Sequence, residues 1–402
     1  MMRSSGNAVR RSESVRPQNA PVKDTSIVRG LGTMDHTVYL IVVILALFGV
    51  MMVFSATYVI AGRSANLQNN TMHFLIQHGR NVLIGFVLMN IASNINYHYF
   101  KRFTFPLYLA SLGMLLFLAI YSAANATHGR WIEIDGLGQF QPSEIAKASL
   151  IFLLARIMSK NRRILDKWPG FLFCAALVGI MVVFVGYGDL GTAIIVGITG
   201  GGMIFLASPH ILRFVLLGVA GVGGMYGFLY LLASNEIALG AQFRGDRFLA
   251  WQNPFDHMQD IGFQIVQSLY AIASGGIFGL GIGQSRQKAF LPEVHNDVIF
   301  SVIVEELGIM GAGIILILFA FLAIRGLRIA INAPDNFGSL VAAGIIIMIV
   351  SQVVVNVAVV TNTIPNTGIP MPFISYGGTA IVICMGLAGV LLNISRHTRV
   401  KG

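Results

Sequence analysis

Charged residues are scarce in this chain. Asp, Glu, Lys and Arg together make up 11% of its 402 residues, whereas soluble domains carry about 25%. So few charges cannot cover a water-facing surface, which excludes a soluble globular protein. Hydrophobic residues account for 55% and the mean hydropathy is +0.74, which indicates a protein embedded in a membrane.

Metal-binding and disulfide patterns are also missing. The two cysteines, Cys174 and Cys384, lie in apolar runs, and no paired histidines or cysteines have the spacing of zinc ligands. We therefore predict neither a metal motif nor a disulfide. The basic residues behind the net charge of +10 lie mainly in short segments between apolar runs, a pattern typical of membrane topology. Nucleic acid is therefore not an expected partner.

Ten apolar runs approach the ~20 residues that a bilayer-spanning helix needs. Backbone groups find no water in lipid, so each run is predicted to be a helix. The predicted fold is an all-α integral membrane bundle of about ten transmembrane helices over residues 36–402, after a basic and disordered cytoplasmic tail over residues 1–35. The predicted spans are 37–60, 73–93, 103–122, 142–158, 170–187, 190–207, 212–233, 298–324, 338–361 and 373–393.

Basic residues also predict the orientation of the bundle. They concentrate in the tail, in residues 157–169 and in residues 394–402, which places both termini in the cytoplasm. The two large outer loops would then be residues 123–141 and 234–297. The second is far longer than a connection needs, and such loops are commonly functional. Its aromatic residues and the helix-like stretch 263–270 predict that it is folded.

The densest group of ionisable side chains lies where this loop enters the eighth span: Glu293, His295, Asp297, Glu305 and Glu306. Charges at membrane depth are costly and commonly functional. In a helix that begins near Asp297, Glu305 lies about 80° round the axis and Glu306 nearly opposite. Asp297 and Glu305 could therefore line one cavity while Glu306 braces a neighbouring helix. A solvated loop end with a structural acid pair is the alternative.

Two more acidic positions lie near the outer surface. Glu144 and Lys147 are three residues apart and share a helix face, either as a structural clamp or as the lining of a polar cavity. Asp189 separates the fifth and sixth spans and would end a polar path.

Cationic side chains on the outer loop could hold a diphosphate, because guanidinium matches phosphate oxygens in a bidentate manner. Arg244 and Arg247 flank an acid, and Arg286 and Lys288 precede the carboxylate group. Ties to Asp256 or Asp260 within the loop are an equal alternative for Arg244 and Arg247.

Together these motifs resemble the FtsW/RodA (SEDS) family of peptidoglycan glycan-chain polymerases. The resemblance extends over nearly everything after residue 35, and its order and spacing are highly specific. Residues 281–288 are more similar to FtsW than to RodA, and a sporulation-type homologue is also close. The segments that carry the resemblance are residues 128–132, 141–147, 188–192, 244–256, 262–268, 291–306 and 372–378.

The resemblance implies a glycosyltransferase that polymerises lipid II outside the bacterial cytoplasmic (inner) membrane, with undecaprenyl diphosphate as the leaving group and inversion at the anomeric carbon. Asp297 matches the family's proposed base. The matching motifs suggest substrate or diphosphate binding by a set of polar residues, and cavity or structural roles for His295, Ser375 and the remaining acids. The polar set is Arg244, Arg247, Arg286, Lys288, Glu144, Lys147, Gln264, Gln267 and Ser268. No cofactor is certain; a divalent cation is a further candidate at the diphosphate.

The resemblance also implies partners. A class B penicillin-binding protein, which supplies the transpeptidase, would pack on the eighth and ninth spans, where Gly311 and Gly344 are expected to face outward. Other divisome membrane proteins and a septal location follow if the role is in division. Two departures stand out: Tyr187-Gly188 precedes Asp189 where the family has Gln-Pro or Glu-Pro, and Val298 replaces a phenylalanine.

Three alternatives stay open from the sequence. The intramembrane charges would also suit a lipid II flippase or transporter. An elongation polymerase of the RodA type differs from FtsW in role and not in chemistry. A scaffold whose long loop docks a partner would leave the clustered carboxylates without a function.

Overall fold

The helices of the bundle follow the predicted spans closely. A computed structural model describes residues 33–63, 70–124, 131–134, 138–161, 163–210, 212–214, 216, 250–291 and 294–398. The helices are α1 (His36–Arg63), α2 (His73–Asn94), α3 (Phe100–Ala124), α4 (Pro142–Lys160), α5 (Trp168–Gly188), α6 (Leu190–Ala207), α7 (Phe263–Gly275), α8 (Ile299–Asn332), α9 (Asn336–Val360) and α10 (Gly378–Arg396). Short 3-10 turns lie at Tyr97–Tyr99, Ile164–Asp166, Pro254–His257 and Gln287–Ala289.

Eight of the described helices are long and apolar enough to cross a bilayer: α1, α2, α3, α5, α6, α8, α9 and α10. The remaining long helix, α4, carries Glu144, Lys147, Arg156 and Lys160. It packs against α3, α6, α9 and α10, and most of its residues are buried. Because protein surrounds it, Glu144 pairs with Lys147 and Arg156 donates to Thr104 inside the bundle. Most of the predicted span 212–233 lies outside the described residues, so the count of ten stays a prediction.

Two helices differ from their predicted bounds. α10 begins at Gly378 and not near 373, because the preceding residues form a tight turn in which the Ser375 hydroxyl accepts a hydrogen bond from the Met371 N–H (2.7 Å). α8 continues to Asn332, and Arg325 in its last turns pairs with Asp35 at 2.6 Å. Gly344, chosen as an outward position, is buried against Met203, so that choice was wrong.

A short hairpin was not predicted. Strands β1 (Ile132–Ile134) and β2 (Gly138–Phe140) pair antiparallel, with Ile132 opposite Phe140. The sequence does carry a signal, since Asp135-Gly136 between two short apolar stretches is typical of a hairpin turn. The predicted loop 123–141 therefore contains ordered β structure just before α4.

Contacts between helix ends define two ends of the bundle. At the first, which we call the Asp335 end, the Tyr97 hydroxyl before α3 donates to Asp335 before α9 (2.6 Å). At the second, the Asp297 end, the N–H of Gln141 before α4 donates to Thr379 at the start of α10 (2.9 Å). Of the described candidate site residues, Glu144, Lys147, Asp189 and Asp297 lie at or beside helix ends, whereas Arg286 and Lys288 lie in the loop before α8.

Asp335 fastens three segments at its end of the bundle. Its carboxylate caps α9 through the Gly338 N–H (3.1 Å) and accepts from Tyr97 (2.6 Å) and Lys101 (2.9 Å), with His98 Nε2 at 3.3 Å. Burial alone would raise the pKa of this carboxyl. The hydrogen bonds from His98, Tyr97, Lys101 and Gly338 lower the pKa by more than burial raises it, so the net pKa lies well below the ordinary value. The ionised carboxylate therefore holds α3 to α9.

Candidate functional site

Asp297 lies two residues before α8 and is 8% exposed. Its backbone carbonyl accepts a hydrogen bond from Asn356 Nδ2 at 2.7 Å, and the same amide nitrogen donates to the Ile369 carbonyl at 2.8 Å. Asn356 belongs to α9, so this amide ties the turn before α8 and the segment after α9 together. The backbone at Asp297 is thus tied through Asn356 to the segment after α9.

Two amide side chains lead to the Asp297 carboxylate. Gln264 Nε2, on α7, lies 3.4 Å from each Asp297 carboxylate oxygen. Gln264 Oε1 accepts from Asn366 Nδ2 at 3.1 Å. Asn366 Oδ1 in turn accepts from the backbone N–H of Gly368 at 3.0 Å. α7 and the segment after α9 therefore meet at Asp297.

An aromatic cluster packs beside the same turn. The His295 ring lies 4.8 Å from the Phe74 ring and 5.0 Å from the Tyr376 ring, between ring centroids. The Tyr376 N–H also donates to the His295 carbonyl at 2.8 Å. Burial raises the pKa of Tyr376 to about 12, so its hydroxyl stays protonated at neutral pH. Neighbouring Ser375 is buried and its hydroxyl serves the turn before α10.

Glu305 and Glu306 are both fully buried and face the loop that precedes α8. Glu305 accepts from the Ser285 hydroxyl, from the Arg286 N–H at 2.9 Å and from the Ser274 hydroxyl at 3.3 Å. These partners lie in residues 274–287, so the Glu305 carboxylate holds the end of α7 and the loop that follows it.

Glu306 holds a neighbouring helix, in the direction that helical geometry predicted. The Ser55 hydroxyl on α1 lies 2.7 and 2.8 Å from its two oxygens. Lys288 Nζ pairs with Glu306 at 3.2 Å and donates to the Gly283 carbonyl at 2.7 Å. The Ser285 N–H adds a bond of 3.4 Å. Glu306 therefore joins α1, α8 and the loop.

α8 is interrupted directly after these acids. Gly308 has φ 72° and ψ −179°, a backbone conformation that only glycine adopts without strain. The loop supplies the missing partners of the helix: Leu280 and Gly281 N–H donate to the Glu305 and Glu306 carbonyls at 2.9 Å each. The N–H groups of residues 309 and 310 donate to the carbonyls of residues 276 and 277 at 3.0 and 3.2 Å.

The four predicted cations fall into three situations. Lys288 is buried in its pair with Glu306, so the arrangement favours a structural role over diphosphate binding. Arg286, two residues earlier, is exposed. Arg244 and Arg247 lie outside the described residues, as does the acid Glu293. Arg286 is therefore the described cation of this group that faces outward.

Glu144 and Lys147 form a buried ion pair of 2.9 Å with side chains 6% and 2% exposed. Glu144 also lines a small and mainly apolar cavity, together with Gln352, Ser375 and Cys384. The ion pair fits the clamp predicted from sequence. The cavity beside it is mainly apolar and Lys147 does not line it, so it is not the polar cavity that the sequence also suggested. The pair lies at the start of α4, next to the turn that leads into α10.

The remaining predicted residues serve local structure. Asp189 caps α6, accepting from the Thr192 N–H at 3.2 Å and the Thr192 hydroxyl at 2.8 Å. Ser268 is 2% exposed and its hydroxyl donates to the Gln264 carbonyl at 2.9 Å. Gln267 is half-buried on α7.

Sequence reasoning did not single out Ser55, Asn356, Asn366 and Gly308. A signal was present for the first two, since a serine and an asparagine inside otherwise apolar spans need hydrogen-bond partners. Among the described residues, no group of three or more His, Cys, Asp or Glu side chains could hold a metal ion. A divalent cation therefore stays a prediction.

Known proteins match this chain along most of its length. Stage V sporulation protein E of Bacillus subtilis (strain 168) is 38% identical over 372 residues, which cover 91% of this chain and 98% of that protein. A protein of Geobacter sp. (strain M18) named "Probable peptidoglycan glycosyltransferase FtsW" is 36% identical, over 92% of this chain and 98% of its own length.

Solved structures share the fold. A chain from a study titled "Structural coordination of polymerization and crosslinking by a peptidoglycan synthase complex" superposes with a TM-score of 0.72 at 23% identity, covering 92% of this chain and 99% of its own. The rod shape determining protein RodA of Thermus thermophilus gives a TM-score of 0.60 at 24% identity, over 90% and 96%.

The family follows from a profile match over nearly all of the described bundle. A sequence profile described as "Cell cycle protein", that of FtsW, RodA and SpoVE, matches residues 35–400. The relatives above, which are 36–38% identical over more than nine-tenths of the chain, support the same assignment. With its several membrane-spanning helices, this chain is a multi-pass membrane protein that belongs to the FtsW/RodA/SpoVE family.

Proposed function

We propose that this chain is a peptidoglycan glycosyltransferase that polymerises lipid II and that Asp297 is its base. Relatives that match over nine-tenths of the chain carry the name peptidoglycan glycosyltransferase, which supports the activity. The observation that supports the site is the placement of Asp297 just before a membrane-spanning helix. Its backbone carbonyl accepts from Asn356, and its carboxylate faces Gln264. A sugar carried on a lipid reaches such a position from the bilayer surface.

The proposed reaction needs one base. The Asp297 carboxylate takes the proton from the acceptor's sugar hydroxyl while the hydroxyl oxygen forms a bond to the donor's anomeric carbon. The bond from that carbon to the diphosphate oxygen breaks, and undecaprenyl diphosphate leaves with the bonding pair. Attack opposite the leaving group inverts the anomeric configuration. A positioned base contributes typically about 10²–10⁴-fold in rate.

Charge on the leaving diphosphate needs cations near it. Arg286, exposed on the loop, is a candidate, and Arg244 and Arg247 remain candidates from the sequence. A divalent cation would supply the same charge. Lys288 is left out, because its ammonium group is used by Glu306 and Gly283.

The membrane arrangement and the partner complete the proposal. Both termini lie in the cytoplasm and the Asp297 end faces outward, across the bacterial cytoplasmic membrane. A class B penicillin-binding protein packs on α8 and α9, which fits the fold shared with a chain of a peptidoglycan synthase complex. The relatives named FtsW favour septal synthesis with other divisome membrane proteins over elongation.

Purified protein with labelled lipid II tests the proposal. Wild type with its partner should yield glycan chains on a gel, and Asp297→Asn should lose about 10²–10⁴-fold in rate while retaining its melting temperature and partner binding. Asp189→Asn is the matched control, because it is the same substitution at a buried helix cap. If Asp297→Asn polymerises within a few-fold of wild type, Asp297 is not the base. Translocation of lipid II in vesicles without polymer would support the flippase instead.

A further inference from the structure

The hydrogen bonds that end at Asp297 have a fixed direction. A backbone N–H can only donate, so the Gly368 N–H requires an acceptor, which is Asn366 Oδ1 at 3.0 Å. With its oxygen used in this way, Asn366 presents Nδ2 to Gln264, where Oε1 accepts at 3.1 Å. The remaining group of Gln264, its Nε2, then faces the Asp297 carboxylate.

Side-chain amides are otherwise free to turn by 180°, because their two ends have nearly the same shape. Reversal of Gln264 would place its oxygen against the Asp297 carboxylate, and two acceptors would then repel each other. The backbone of Gly368, which has φ +66°, prevents this through Asn366. The direction of the chain is thus set from both ends: by the Gly368 N–H, which acts through Asn366, and by the Asp297 carboxylate, which can only accept.

We propose that Asn366 is a positioning residue that sets the direction of the Gln264 amide and so keeps the Asp297 carboxylate ionised and ready to accept a proton. The inference rests on the proposed role of Asp297 as base. An N–H that faces a carboxylate favours the ionised form over the protonated form. The contact is long, at 3.4 Å to each oxygen, so it supports the charge without making the carboxylate a poor base.

The most direct test is Asn366→Asp, which keeps the shape of the side chain and replaces the N–H donor that faces Gln264 with an acceptor oxygen. One carboxylate oxygen still accepts from the Gly368 N–H, but the other cannot donate to Gln264 and must accept from its Nε2. Gln264 Oε1 then turns toward Asp297. The pH at which the polymerisation rate is half-maximal, on the acidic side, should rise by about one unit. Well below both half-maximal pH values, the rate of the variant should be about tenfold lower than that of wild type.

The negative charge that Asn366→Asp introduces could also act on Asp297 directly through space. The experiment therefore needs a second background that lacks the Gln264 amide. The same substitution is therefore made in Gln264→Met, where the shift should vanish if Asn366 acts through Gln264. Asn362→Asp is the matched control: it lies in the same loop, but its amide donates to the Trp251 carbonyl at 3.2 Å. It should leave the half-maximal pH unchanged. Asn366→Leu, which adds no charge, should shift it upward by less.

The readout is the initial rate of glycan synthesis by the purified protein with its partner across the acidic range, with melting temperatures measured in parallel. A shift for Asn366→Asp that disappears in Gln264→Met supports the inference. An equal shift in both backgrounds, or none in either, overturns it. An active Asp297→Asn variant instead overturns the proposed base, and a wild type that forms no polymer overturns the proposed activity. If Asn366→Asp fails to fold, Asn366→Leu decides between a shifted and an unshifted profile.

Discussion

Lys288 tests whether a cation of the outer loop is structural or catalytic. Its ammonium group lies 3.2 Å from Glu306 Oε1 and 2.7 Å from the Gly283 carbonyl, and the two side chains are 6% and 0% exposed. Lys288→Met removes the charge and keeps most of the apolar stem. We expect a large loss of stability, because the partner carboxylate is left buried without its cation.

The size of the loss follows from the surroundings of Glu306. Removing one partner of a buried ion pair typically costs about 3–5 kcal/mol. The Ser55 hydroxyl and the Ser285 N–H remain as donors to Glu306, which places the expected loss near the lower limit, about 3 kcal/mol. The double variant Lys288→Met with Glu306→Gln removes both charges and should recover part of that loss.

Arg286→Met is the matched control for Lys288→Met. Arg286 lies two residues before Lys288 and its side chain is exposed. Removing its charge should therefore change the unfolding free energy by no more than about 0.5 kcal/mol. Thermal or denaturant unfolding in detergent, followed beside lipid II polymerisation, measures both variants. An unchanged melting temperature together with a strong loss of turnover for Lys288→Met would refute the structural assignment and return Lys288 to the diphosphate.

Three further predictions concern other parts of the chain. Asp335→Asn should lower the melting temperature at neutral pH; because the folded pKa is lowered, the difference from wild type should shrink as pH falls below the ordinary carboxyl value of 3.8. Gly308→Ala should cost roughly 1–3 kcal/mol in unfolding free energy, since its φ is 72° and its Cβ would meet the Ile277 carbonyl. Single cysteines in residues 157–169 should resist an impermeant thiol reagent on intact cells, whereas cysteines in residues 250–291 should react; the opposite pattern would invert the bundle.

Hydropathy and turn residues were enough to locate most of the helices. The predicted span 190–207 coincides with α6 (Leu190–Ala207), because Asp189 caps the helix and a polar residue ends the apolar run. The approach was weaker where length depends on tertiary contacts. α8 continues to Asn332, beyond the predicted end, and Arg325 in these added turns pairs with Asp35, which lies 290 residues away in sequence.

Within the candidate site, helical geometry separated the directions of two adjacent acids but did not reveal what they bind. The contact of Glu306 with a neighbouring helix was expected, whereas its partner Ser55 was not. The direction of the bonds through Asn366 and Gln264 also could not be predicted. It depends on a backbone N–H in a loop, and sequence spacing carries no information on which end of an amide faces which neighbour.

The interruption of α8 at Gly308 has a mechanical consequence. Four backbone hydrogen bonds, from 2.9 to 3.2 Å, join residues 276–281 to the two sides of the break, and each contributes about 1 kcal/mol net. A force applied to residues 276–281 is therefore transmitted directly to α8, on both sides of Gly308. A protein that binds and displaces this loop would therefore also act on α8, the helix that follows the proposed base.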